Sequence, residues 1–312
     1  MYKFIDLFCG IGGFRIALEG KGMECVFSSD IDKDVQETYA KNFGERPYGD
    51  LNEISEKKIP KHDILCAGFP CQPFSISGKQ LGLKGSNGRL FYEIIRIAQY
   101  HKPYVLLLEN VKNIINIDNG SVIKTIDIKL DEIGYKVYRH ILNSSFFGIP
   151  QSRERVYFVC LRKDYDNDLK FKYLPPKETF ARVYLDDILE EKVDDSLYIK
   201  RDDIVIDGNK EIERNLRPLR IGYVNKGGQG ERIYSPLGHA VTLSAFGGGV
   251  GARTGLYLIN NRIRRLSINE CKSLMGFPRN HHVIEGIKGY QQLGNAVIPK
   301  MISNIYDSIG IS

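Results

Sequence analysis

The chain has 312 residues, 42% of them hydrophobic, with 44 basic and 38 acidic side chains and a net charge of +6. That is apolar material for one large or two ordinary domains without covalent staples, and a charge too mild to mark a nucleic-acid binder by itself. Six cysteines with no paired CxxC spacing, no basic leader before an apolar run at the N-terminus, and no apolar run of spanning length predict free thiols, a cytoplasmic location and no membrane partner.

In chain order, Tyr2 to Phe8 reads as a first strand, Cys9-Gly10-Ile11-Gly12-Gly13 as a glycine turn, and Phe14 to Glu19 as a helix. Strand, glycine turn and helix open a doubly wound nucleotide-binding fold, and glycines let the backbone approach a ligand closely. The spacing is F-x-G-x-G-G, which departs from the dinucleotide pattern and weighs against NAD. A second strand, Glu24 to Ser29, ends in Asp30, an acid placed to accept from ribose hydroxyls; capping the helix from Lys33 to Asn42 is the plain alternative.

A third strand runs from Asp63 to Ala67 into Gly68-Phe69-Pro70-Cys71-Gln72-Pro73. The two prolines disfavour helix before them, so Cys71 is expected on a turn at the strand's carboxyl end, where ligands bind in open parallel sheets. Taken alone, Cys71 is equally well a small buried hydrophobe. Ser75 to Gly88 is rich in Gly, Ser and Lys and is expected to be a mobile lid; Arg89 to Tyr100 reads as a helix. Tyr104 to Leu108 is the clearest buried strand and ends in Glu109-Asn110-Val111, an acid whose pKa burial should raise. Ile123 to Ile133 reads as a helix and Tyr135 to Leu142 as a strand. In Gln151-Ser152-Arg153-Glu154-Arg155-Val156 the two arginines alternate with Glu154, which predicts two guanidiniums on one side of an extended strand, able to grip a phosphate or a base carbonyl.

Pro175-Pro176 mark a boundary. Beyond it, acids dominate from Asp186 to Asp195, whereas from Arg214 to Arg265 nine basic residues face one acid, Glu231. The basic stretch is expected to meet phosphates, a solvated face being the alternative. It holds two glycine-rich loops, Lys226 to Arg232 and Thr242 to Gly249. Ser267 with Glu270 forms a capping box, Gln292 to Val297 precedes a last helix, and the six histidines form no ligand-like group, so no metal is expected.

Together, Pro70-Cys71-Gln72, the glycine turn, Gly49-Asp50-Leu51, Glu109-Asn110-Val111, the Gln-Ser-Arg-Glu-Arg-Val string and Gln292-Leu293-Gly294-Asn295-Ala296-Val297 resemble, in order, the motifs of the DNA cytosine-5 methyltransferases. The resemblance covers most of the chain. It implies an α/β, doubly wound, Rossmann-like S-adenosylmethionine-dependent methyltransferase domain over residues 1–185, completed by 290–312. A smaller, mostly β or irregular target-recognition domain and hinge would span 186–289. It implies methyl transfer to C5 of a flipped-out cytosine in duplex DNA, with S-adenosylhomocysteine as by-product. Cys71 would add to C6, Glu109 would bond N3 and the exocyclic amine, Arg155 would hold O2, and Arg153 would hold the target phosphate or assist at O2.

The same resemblance surrounds the cofactor with Phe8, Gly10, Ile11, Gly12, Gly13, Asp30, Ile31, Asp50, Leu51, Pro70, Leu90, Asn295, Ala296 and Val297. It gives DNA contacts to Ser77, Lys79, Arg89, Lys226, Gln229, Glu231, Arg232, Thr242, Phe246 and Gly249, with Gln229 filling the gap left by the flipped base. In wording the two loops are closest to a GCGC-type member. A monomer is implied, serving a restriction-modification system beside an endonuclease it does not touch. An RNA cytosine methyltransferase of the same fold and a non-catalytic DNA-binding relative stay open as alternatives.

Overall fold

Apolar runs become the strands of the first sheet: β1 (Lys3–Leu7), β2 (Glu24–Ser29), β3 (Ile64–Gly68), β4 (Val105–Val111), β5 (Tyr135–Asn143) and β7 (Glu154–Arg162), with the short β6 (Gln151–Ser152) between the last two in sequence but outside that sheet. A computed structural model describes residues 1–69, 89–165, 180–207 and 213–310. Six strands form one mixed sheet in the order β2-β1-β3-β4-β7-β5. β1 to β4 pair in parallel, and β7 lies antiparallel to β4. From β1 the chain goes first to β2 on one side and then to β3 on the other. That reversal is a topological switch point, and a crevice is expected there at the carboxyl ends.

The helices are α1 (Gly13–Glu19), α2 (Lys33–Phe43), α3 (Arg89–His101) and α4 (Ser121–Glu132). Ile94, Ile97 and Ala98 of α3, with Val122, Ile126 and Leu130 of α4, bury against Leu65, Leu106, Leu108 and Phe158 of the sheet. The cap of α2 is Asp32, which accepts from the amides of Asp34 and Val35, and this leaves Asp30 outside the helix. β4 runs on through Glu109, Asn110 and Val111, because β7 pairs with it that far.

The chain divides into two compact units. The first comprises Met1–Leu142, Glu154–Tyr173 and Ile302–Ser312; the second comprises Asn143–Arg153 and Leu174–Met301. In the second unit, β8 (Val205–Ile206), β9 (Leu219–Tyr223), β10 (Arg232–Ser235), β12 (Leu256–Ile259) and β13 (Arg262–Arg264) make a five-stranded sheet, while β11 (Ala240–Val241) pairs with β6. Its core is small: Ile221, Val224, Ile233, Leu256 and Ile263. Beside that core Arg264 forms a fully buried two-pronged pair with Glu270, at 2.8 and 2.6 Å. Glu270 also accepts from the Ser267 amide, as the capping box requires, and from the Glu190 amide.

Two expectations change here. Arg153 and Arg155 do not share one strand, because β6 pairs with β11 and β7 with β4; the chain leaves one sheet and enters the other at Arg153. The basic excess between residues 214 and 265 is also partly neutralised within its own unit. Arg214 pairs with Asp186 and Asp187, Arg262 with Asp195, and Arg264 with Glu270. The acidic run is thus the partner of the basic one. No helix among the described residues is long and apolar enough to cross a membrane.

Candidate active site and recognition loops

The carboxyl ends of β3 and β4 lie side by side, with Gly68 opposite Glu109. Glu109 is 7% exposed. Because antiparallel pairing sets Val111 opposite Arg155, Arg155 is the diagonal neighbour of Glu109 on one face, and its Nε lies 3.2 Å from Glu109 Oε1. The Lys112–Glu154 pair, 2.9 Å, stands at the rim. Asn110, buried at the end of so apolar a strand, donates from Nδ2 to the Phe69 carbonyl at 2.8 Å and accepts from the Val111 amide. It therefore pins the exit of β3 one residue before Pro70. Pro70, Cys71, Ser77 and Lys79 lie outside the described residues, as does the side chain of Arg89.

Around the glycine turn the backbone takes left-handed conformations at Phe8 (φ 54°), Gly10 (φ 53°) and Gly12 (φ 86°). Gly12 has no room for a side chain, since a Cβ there would lie 2.3 Å from the Phe43 ring. Asp30 holds the turn: its carboxylate accepts from the amides of Gly10 and Asp32, each at 3.0 Å. Burial pushes its pKa up, against those amide bonds. Beside it, Ile31 is 69% exposed. Tyr48 exchanges backbone bonds with Ser28 and Asp30 and so brings Asp50 and buried Leu51 to the same end of β2. Asp50 accepts from the Asn52 amide at 2.9 Å. Ile11 and Gly13 are buried in the turn and Leu90 is half-buried on α3.

Beneath the turn, Asp6 is fully buried between Ser28 and Cys66 on the neighbouring strands. Burial pushes its pKa well above the carboxylate range, Asp30 and Glu19 push it further, and Arg15 opposes them. Arg15 packs on the Phe43 ring, 4.5 Å from its centre, and pairs with Glu19 and Glu45. A carboxylate at the end of β2, an exposed apolar side chain next to it and a glycine turn that lets the backbone come close suit an adenosine: acceptor for the ribose, apolar contact for the base. The depression lined by Met1, Tyr2, Asp63, Tyr104 and Tyr165 lies at the amino ends of the strands, the opposite edge from Glu109.

In the second unit, Arg153 is 3% exposed and donates to the carbonyls of Leu243 (3.3 Å), Gly294 (3.0 Å) and Ala296 (3.1 Å). It ties the root of one glycine-rich loop to Gly294-Asn295-Ala296. Ala296 and Val297 are buried, whereas Asn295 is exposed. In the first loop Lys226, Gln229 and Arg232 are exposed, and the Arg232 Nε donates to the Gly227 carbonyl at 3.5 Å. Glu231 turns inward, accepting from Asn225 Nδ2 and the Gly228 amide, each at 2.8 Å, and its pKa is lowered by those two bonds. In the second loop Thr242 is exposed but donates to the Ser152 carbonyl at 2.6 Å, Gly249 is exposed with φ 79°, and Phe246 is 80% exposed. Sequence reasoning passed over Asn110 and Asn225 as site residues. For Asn110 the signal was present, as a second polar residue at the end of an apolar strand.

A family model described as C-5 cytosine-specific DNA methylase matches residues 2–310. The chain is 47% identical over 314 residues to the type II methyltransferase M.HhaI of Haemophilus parahaemolyticus, covering 99% of this chain and 94% of that protein. It is 42% identical to M.HaeII of Haemophilus aegyptius, covering 89% and 82%. Among solved structures it resembles the S. pombe Dnmt2 methyltransferase, with a TM-score of 0.75 over 99% of this chain and 98% of the other at 20% identity.

Proposed function

This chain belongs to the C-5 cytosine-specific DNA methylase family and is a DNA cytosine-5 methyltransferase, and from that premise we propose that it methylates the inner cytosine of GCGC in duplex DNA. The observation that carries the chemistry is the edge formed by β3 and β4. Glu109 stands beside Gly68 in register, Arg155 lies against Glu109, and Asn110 grips the carbonyl of Phe69 just before Pro70-Cys71. The assignment of GCGC rests on the likeness to M.HhaI. On the same ground the chain serves as a monomeric modification enzyme in the cytoplasm, beside an endonuclease that reads the same site without touching it.

S-adenosylmethionine supplies an electrophilic methyl group when bound. Asp30 and Asp50 would accept from the adenosine hydroxyls and amine, Phe8, Ile31, Leu51 and Leu90 would offer it apolar contact, and the glycine turn would let the backbone come close. Cytosine C5 is a weak nucleophile, and the base must first leave the stack. The Cys71 thiolate adds to C6, and the electron pair of the C5–C6 bond becomes available at C5. Glu109 bonds N3 and the exocyclic amine as charge builds on the ring, and Arg155 holds O2. C5 takes the methyl group, with S-adenosylhomocysteine as the leaving group; C5 then loses its proton to a base, water being sufficient, the C5–C6 double bond re-forms and the Cys71–C6 bond breaks to return the thiolate. Arg153, spent on three carbonyls, sets the shape of the segments that carry Thr242 and Asn295.

Bisulfite sequencing of DNA from an expressing host tests the site, and a 5-fluorocytosine duplex tests the chemistry. The wild type is expected to protect the inner cytosine of GCGC and to form an adduct that survives denaturation. Cys71→Ala should bind cofactor and form none. Methylation centred on another sequence overturns the GCGC assignment, and an equal adduct yield in Cys71→Ala overturns the nucleophile.

A further inference from the structure

Within the second unit the two glycine-rich loops meet backbone to backbone. A Cβ on Gly230 would lie 2.1 Å from the Gly248 carbonyl oxygen and 3.4 Å from Gly249 Cα. The Gly230 carbonyl accepts from the Gly251 amide at 2.7 Å. From the other side, a Cβ on Gly251 would stand 2.9 Å, and one on Gly249 3.1 Å, from the Gly230 carbonyl oxygen. On the Gly230 side every near atom is backbone, with no side chain that could swing aside to admit a methyl group; on the Gly251 side the Leu256 side chain also lies 3.2 Å from a Cβ. Each loop is also closed on itself. Glu231 ties Gly228 and Asn225 in the first. In the second, the amide of Ala252 donates to Gly249, and those of Thr254 and Gly255 donate to Gly251. The root of the second loop is fixed as well, because a Cβ on Gly294 would lie 2.5 Å from the Ala245 nitrogen, and Arg153 holds Leu243 and Gly294 together.

We propose that the two loops act as one recognition body sealed at Gly230, which makes Gly230 a positioning residue for Gln229 on one side and Phe246 on the other. The inference rests on the reading of these loops as the DNA-recognition surface. Reading base edges demands that side chains be held within about 0.5 Å of their productive places. Two independent loops would each have to be ordered on the DNA, whereas a sealed pair arrives with the spacing between Gln229 and Phe246 already set.

Three single-methyl variants separate the seam from any general effect of stiffening a glycine. Gly230→Ala and Gly251→Ala place the methyl in the seam from opposite sides. Gly248→Ala adds it in the same loop, where a Cβ meets nothing within 4 Å. For each, kcat/KM is measured on the cognate duplex and on duplexes with one base pair changed, together with cofactor affinity by calorimetry and the salt slope of DNA binding. Wild-type bisulfite reads identify the cognate site first, so a wrong site or an inactive protein is recognised before any variant is made. Gly230→Ala and Gly251→Ala are expected to lose about tenfold or more in discrimination, since one mismatched pair is typically worth 1–3 kcal/mol, while cofactor affinity and salt slope hold. Gly248→Ala is expected to keep the wild-type ratio. If Gly230→Ala does not fold, Gly251→Ala decides alone. Wild-type discrimination in the seam variants, or equal loss in all three, overturns the proposal.

Discussion

Glu109 was legible because a carboxylate at the end of so apolar a strand is costly unless it is used, and Arg155 beside it supplies the partner. Arg153 was not legible. Alternation put it on one strand with Arg155, and only the tertiary pairing of β6 with β11 shows where its guanidinium goes. Asp6 carries a prediction of its own. Its folded pKa is raised well above the usual range, chiefly by burial, with Asp30 and Glu19 adding and Arg15 opposing. A raised acid contributes its full share of stability below the unfolded value near 4 and loses it as pH rises through the folded value. Asp6→Asn is neutral in both states and escapes that loss. Thermal melts should therefore show the variant gaining on the wild type between pH 5 and pH 8.5; a constant difference across that range would refute a neutral Asp6.

At the scale of the element, the strand–glycine–helix opening was readable from residue types alone, and so were the parallel strands, α3 and the Ser267 cap. Which glycine bears the constraint was not readable, because that depends on Phe43, thirty-one positions later in the chain than Gly12. Gly10→Ala should cost about 1–2 kcal/mol, the price of a left-handed residue with open space around its Cβ. Gly12→Ala adds a clash with a ring that also carries the Arg15 guanidinium. It should cost roughly 1–3 kcal/mol more, as overpacking does, and weaken cofactor binding further than Gly10→Ala. Denaturant melts and calorimetry check the order; equal effects would mean that Phe43 moves aside freely.

For the molecule as a whole, composition pointed to a basic recognition region, and the fold shows that its charges do different work. Lys226 is exposed, whereas Arg264 is sealed against Glu270. Lys226→Ala should weaken binding to all DNA sequences alike and flatten the salt slope by about 1. Arg264→Ala should leave that slope alone and cost about 3–5 kcal/mol of stability, since it strands a buried carboxylate. Binding titrations across salt and chemical melts distinguish the two, and a changed slope in Arg264→Ala would contradict the assignment. Such a division was invisible in the sequence because local charge counts say nothing about which acid folds back onto which base. The segmental make-up of the first unit also has a consequence in time. Its last piece begins at Ile302, where Ile302, Ile305 and Ile309 are buried and Asp307 pairs with Lys21 at 2.7 Å. A ribosome releases Lys21 into the cell long before it makes Asp307, and between them it also makes all of the second unit. The first unit therefore waits for its last piece until the second unit has been made. Its closure is a long-range event, and a nascent chain stalled after the second glycine-rich loop but before Ile302 carries both loops without the last piece of the first unit.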